Sequence, residues 1–138
     1  MNVVVLVGQL SSEPTVRELP SGSVLMSFEL TTQVPRAMAA PAGTKPSTRR
    51  GEADATVSIS VPLVWFDPPK KVTVGAGDQV TAVGFVRRRF YRTGTVTQSR
   101  TEVVVQLLGK AGDKRVLVAQ SRWLAGAMGA QAPDGLLS

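Results

Sequence analysis

The sequence predicts an all-β protein folded as one small barrel. Three observations carry this: apolar residues recur with a period of two rather than 3.6 along most of the chain, Gly, Pro and Ser turn signals separate the apolar runs, and 138 residues suffice for one domain with a modest core but not for two. The first run, residues 2–10, is apolar and β-branched and closes at Ser11-Ser12-Glu13-Pro14. The second, Val24 to Thr32, alternates Met26, Phe28 and Leu30 with Ser27, Glu29 and Thr31, and Pro20-Ser21-Gly22-Ser23 marks the turn between the two. From Gln33 to Asp54 the composition shifts to Pro, Ala and Gly, with Arg36, Lys45, Arg49 and Arg50 and no apolar periodicity. This is the pattern of a long mobile loop.

The third run, Ala55 to Leu63, alternates Val57, Ile59, Val61 and Leu63 with Thr56, Ser58 and Ser60, and Pro62 suggests an edge or a strand end. Trp65 shares the parity of the apolar set and is expected to close the core. Asp67-Pro68-Pro69 fits at most one helical turn, because Val72-Thr73-Val74-Gly75 does not continue a helix. The fourth run, Gln79 to Tyr91, sets Val80, Ala82, Gly84 and Val86 on one face and Phe85, Arg87, Arg89 and Tyr91 on the other. A turn at Thr93-Gly94-Thr95 leads into a fifth run, Thr97 to Leu108.

This order describes a five-stranded Greek-key barrel of the OB type, with a long loop between strands two and three and a projecting basic hairpin between strands four and five. An SH3-like barrel or a small sandwich fits the same spacing. Residues 1–109 hold the barrel and 110–138 form a C-terminal extension. There Arg115 to Ala119 reads as an extra strand running into a loose tail, although Val116, Ala119, Trp123 and Ala127 with Leu117, Leu124 and Met128 also fit one helical face.

Sixteen Lys and Arg against ten Asp and Glu give a net charge of +6, which favours a polyanionic partner. The charge is concentrated: Arg87, Arg88, Arg89, Arg92 and Arg100 fall within residues 87–101, where no acid occurs. A solvated charged face usually mixes both signs, so this block reads as a site. With no Cys and no His, disulfides, thiolate or imidazole metal sites and the common nucleophilic and imidazole acid–base chemistries drop out. Gly75-Ala76-Gly77 lacks the remainder of a dinucleotide fingerprint, and the closest carboxylate pair, Glu52 and Asp54, lies in the loop. The chain is therefore expected not to be an enzyme and to use no cofactor or metal. The apolar run Val3 to Val7 is too short for a signal or a membrane span, so a cytoplasmic, nucleoid-associated protein without membrane contact is expected. The same run is apolar at both parities, as a strand buried on both faces or one that meets a second subunit would be.

Several segments together resemble the bacterial single-stranded DNA-binding protein family. VLVGQL, EPTVRELPSG and SFELTT between Asn2 and Thr32 look like that family's opening. Gly77-Asp78-Gln79-Val80, VRRRFYR at 86–92 and TEVVV at 101–105 are similar to its last two barrel strands. The matching segments cover about half the chain, and it looks like a divergent paralogue. The resemblance implies an OB-fold that binds single-stranded DNA without strong sequence preference, by aromatic stacking and Arg/Lys phosphate contacts, in DNA replication, recombination or repair, and that forms a homo-oligomer, a dimer or a tetramer.

Carried onto this chain, Tyr91 stands where the family has a stacking Trp. Phe90 and Phe85 are further candidate stacking groups, with packing beneath the hairpin or at a subunit interface as their alternatives. Arg87, Arg88, Arg89, Arg92 and Arg100 are the phosphate contacts expected on the hairpin, and Arg36, Lys45, Arg49 and Arg50 those in the loop. The chain departs from the family at Arg36 and at Thr56, Ser58 and Ser60, where aromatic platforms are absent, and it lacks the acidic, aromatic-ended tail that recruits partner enzymes. An OB-type protein-interaction module, serving as an accessory of replication or of a mobile element, and an RNA-binding barrel are the alternative readings.

Overall fold

A computed structural model describes residues 1–39 and 55–131. In chain order the elements are β1 (Val4–Leu10), β2 (Thr15–Glu18), β3 (Val24–Pro35), α1 (Arg36–Ala39), β4 (Thr56–Phe66), β5 (Gln79–Thr93), β6 (Val96–Lys110) and α2 (Lys114–Gln131). β1 lies antiparallel to β5 from Val4↔Gly84 to Gln9↔Gln79, and β5 lies antiparallel to β6. β6 meets β4 in a short parallel pairing at Leu63↔Val103 and Val64↔Val104, and β4 pairs along its whole length with β3. Gln9↔Thr31 and Leu10↔Leu30 return β3 to β1 and close the ring. The result is a closed five-stranded, all-β barrel of the OB type, as the alternation predicts. β2 has no counterpart in the sequence reading, being four exposed residues pinned to the first half of β3 across a turn at Gly22.

The barrel interior is the apolar parity of each strand: Leu10, Phe28, Leu30, Leu63, Trp65, Val80, Ala82, Val103, Val105 and Leu108. Trp65 thus closes the core as expected. The alternation of β6 breaks once. Val83 pairs with Leu107 but Gly84 pairs with Val105, so Gln106 is an extra residue, a β-bulge that puts Leu108 on the same side as Val103 and Val105. A side chain at Gly84 would collide with the Val104 carbonyl, so this crossing needs glycine. On the outer face Leu25, Val64 and Val104, with Leu19 and Phe85 against them, form a second, smaller apolar cluster.

Four details differ from the sequence reading. The strand expected at Arg115–Ala119 is the first part of the helix α2, so the possible extra strand and loose tail are corrected to an ordered helix as far as Gln131. Asp113 caps it, its Oδ1 accepting the Arg115 N–H at 2.9 Å, and the Ala-rich continuation supplies helical propensity that outweighs the β-branched Val116 and Val118. Val116, Gln120, Trp123, Leu124 and Ala127 form its less exposed side, whereas Leu117, Ala119 and Met128 are exposed. Gln120 is buried because its Nε2 donates to the Thr81 carbonyl at 2.8 Å, and Val116 rests on Gly109.

Residues 33–39, read as the start of a mobile loop, are instead the end of β3 and the single turn α1. The Gln33 amide donates to Ser58 Oγ and accepts from Thr56 Oγ1, a side-chain ladder that extends the β3–β4 pairing beyond the apolar pattern. Residues 40–54 lie outside the described residues. β4 also continues past Leu63 to Phe66, and Asp67 forms no helix cap. At φ 49° its N–H donates to the Val24 carbonyl and its Oδ1 accepts the Val24 N–H, which fastens the end of β4 to the start of β3. Among the described residues no helix is long and apolar enough to cross a membrane.

Gly109→Ala tests the seating of α2, because the added methyl occupies the space of Val116. Stability is expected to fall by about 1–3 kcal/mol, with faster hydrogen exchange in α2 than in the barrel strands. Unchanged protection of α2 would show that the helix is not held there.

Candidate nucleic-acid interface

β5 and β6 continue beyond the barrel as a two-stranded arm, exposed from Arg88 to Thr101 apart from its paired backbone. Its tip is the two-residue loop Gly94-Thr95 between Thr93 and Val96, with Gly94 at φ 64°, which suits the tight turns that match strand twist. Directly opposed residues share a face. The register Arg87↔Glu102, Arg89↔Arg100 and Tyr91↔Gln98 defines a front face, continuous with the outer barrel face at Phe85↔Val104. Arg88↔Thr101, Phe90↔Ser99 and Arg92↔Thr97 define the back face.

Where the front face joins the barrel lies a groove of about 260 Å³. Leu19, Leu25 and Val64 form its apolar floor, Phe66 one wall, and Arg17, Arg87, Arg89 and Arg100 bring four guanidinium groups to it. Glu102 organises this charge. Its side chain is only 1% exposed, and its Oε1 receives Arg87 Nη2 at 3.1 Å, Arg87 Nε at 3.2 Å and Arg89 Nε at 3.1 Å. A carboxylate out of water needs such partners, and two guanidinium groups supply both charge and donors. Arg100 reaches Glu29 at 3.4 Å, and Ser60 Oγ donates to the other oxygen of Glu29 at 2.8 Å.

The same arginines lie over aromatic rings. Arg87 Cζ is 5.3 Å from the Phe66 ring centre and Arg89 Cζ is 5.6 Å from that of Tyr91, whose hydroxyl donates to Gln98 Oε1 at 3.0 Å. Tyr91 remains 38% exposed. Two ring–guanidinium pairs therefore share one open surface, an arrangement that can stack planar bases and hold phosphates beside them.

The residues singled out in the sequence divide into four places. Arg87, Arg89, Arg100 and Tyr91 come together on the front face. Arg88, Phe90 and Arg92 share the back face. There Phe90 is 63% exposed with Arg88 Cζ 5.1 Å from its ring centre, so packing beneath the hairpin is ruled out for it. Phe85 is half-buried in the outer apolar cluster beside Val104, under the groove rather than in it. Arg36 opens α1 at the far end of the β3–β4 ladder, away from the groove. Lys45, Arg49 and Arg50 lie outside the described residues.

Four participants do not stand out in the sequence. Phe66 has the parity of Ser58 and Ser60 and supplies an aromatic ring on the face where the third strand otherwise offers hydroxyls, but it lies beyond Leu63, where the apolar alternation stops. Arg17 sits on β2, too short for alternation to show. Glu102 follows the acid-free block directly, and Glu29 is distant in sequence, so the groove brings two carboxylates to its four arginines.

Fold and groove together define an all-β OB-type barrel carrying a basic, aromatic-lined groove at the root of its arm. No family model matches the sequence, and no curated protein matches it.

Glu102→Gln keeps the shape but removes the charge to which Arg87 and Arg89 are anchored. With both arginines partly in water, stability is expected to drop by about 1–2 kcal/mol, read as a lower urea midpoint with an unchanged slope. An unaltered midpoint would show that the ion pairs add nothing to the pairing of β5 with β6 at the root of the arm.

Proposed function

We propose that this protein binds single-stranded DNA without strong sequence preference, and that it is a divergent relative of the bacterial single-stranded DNA-binding proteins with a role in replication, recombination or repair. The observation that carries the reading is two ring–guanidinium pairs on one face, Phe66 with Arg87 in the groove and Tyr91 with Arg89 further out along the arm. Bases stack on the rings and phosphates meet the arginines, a sequence-tolerant mode because every base has a flat face. The carboxylates of Glu102 and Glu29 support the same reading. They hold three guanidinium groups in place before a strand arrives, so less side-chain freedom is given up on binding. Self-association as a dimer or tetramer is part of the proposal, supported by the exposure of Val5 and Val7 on β1.

The test is a fluorescence-anisotropy titration of labelled oligo-dT of about 35 nucleotides at several salt concentrations, with duplex DNA and oligo-U as competitors. Preference for the single DNA strand is expected. Preference for oligo-U would point to an RNA-binding barrel, and absence of binding to a protein-interaction module. Tyr91→Ala is expected to weaken binding by about 1–3 kcal/mol at every salt concentration. Arg17→Gln combined with Arg100→Gln is expected to flatten the salt dependence by about 0.7 log unit per log unit of salt for each phosphate no longer neutralised. These two arginines make the cleaner test, because truncating Arg87 and Arg89 also strands the buried Glu102. Variants that bind like the parent would place the site elsewhere.

A further inference from the structure

The arm has a second face, and its chemistry repeats that of the first without the acids. Arg88, Phe90 and Arg92 stand in one column and Thr101, Ser99 and Thr97 in the column opposite. No carboxylate lies on this face, and neither Arg88 nor Arg92 takes part in an ion pair among the described residues. Arg88 lies over the Phe90 ring and donates to Ser99 Oγ at 3.0 Å. The ring is thus flanked by arginines two residues to either side, their Cα atoms roughly 13 Å apart along the strand, with a row of hydroxyls alongside.

This composition does not suit an apolar protein contact, because Phe90 has only charged and hydroxyl neighbours beside it on its face, and the exposed Val86 on the same side is set apart from it by Arg88. It suits a polyanion with flat faces: a base on the ring, phosphates at the arginines and hydroxyls. The front face meets the same requirement independently through Arg89 and Tyr91. Between the two faces lies the paired backbone of the arm, so a short strand seated on one does not reach the other.

We infer that the arm holds two single DNA strands at once, one on each face, so that one chain bridges them; this rests on the single-strand reading above. The positive charge between the two strands offsets their mutual repulsion. The protein then does more than cover a strand, because it brings two into proximity, a step that precedes pairing of complementary sequences.

Native mass spectrometry of the full chain with oligo-dT of about eight nucleotides tests this by counting oligomers bound per chain. Two per chain are expected for the parent. Phe90→Ala combined with Arg88→Gln and Arg92→Gln is expected to reduce the count to one, and Tyr91→Ala to weaken the other site instead. Saturation at one oligomer per chain would overturn the two-strand inference while leaving the single-strand reading intact. No bound oligo-dT at all would overturn both.

Discussion

A carboxylate removed from water is tolerated only where positive charge surrounds it, and the Glu102 side chain makes that demand at the point where arm and barrel meet. Arg87 and Arg89 answer it from the opposing strand. The consequence is geometric more than energetic. Two long, mobile side chains, each of which would otherwise sample many rotamers, are tied by their Nε atoms to one oxygen, and their planes are laid over Phe66 and Tyr91. The groove is therefore ordered before any ligand reaches it.

The barrel beneath explains why the arm is rigid enough to be used. β5 and β6 are held at their roots by β1 on one side and by the short parallel contact with β4 on the other, while α2 covers their outer face further back through Gln120 and Val116. The second apolar cluster, built on Leu25, Val64 and Val104, supplies Leu25 and Val64 to the apolar floor of the groove. Charge is distributed unevenly. The front face shares its arginines with Glu29 and Glu102, whereas among the described residues the back face has no acid to pair with its positive charge.

Much of this is legible in the residues. Period-two alternation locates the five barrel strands and the core parity, including Trp65, because burial on one face of a strand imposes it. The run Phe85 to Tyr91 likewise announces a cationic, aromatic face. What stays hidden is non-local or is carried by polar atoms. β2 is too short to alternate, the end of β3 is extended by amide and hydroxyl ladders, and α2 depends on the Asp113 cap against a β-branched local preference. The balancing of Arg100 by Glu29 joins positions 71 residues apart, a separation that no local pattern reveals.

The bulge at Gln106 gives the buried acid a further significance. A hairpin of this length has two competing alignments, one with Gln106 looped out and one with it drawn into the ladder. In the second, every residue of β6 from Val105 outward moves one step along β5 and changes sides. Val103 and Val105 would leave the interior, and Glu102 would turn away from Arg87 and Arg89 to face Arg88 on the exposed side of the arm. Loss of the two buried valines together with the Arg87 and Arg89 pairs of Glu102 discourages strand slippage, so Glu102 and its arginines act as a counting mark that tells the arm where it begins. Length changes at the Gly94-Thr95 tip leave the count intact, which makes the tip the place where the arm can grow or shrink while its root stays in phase.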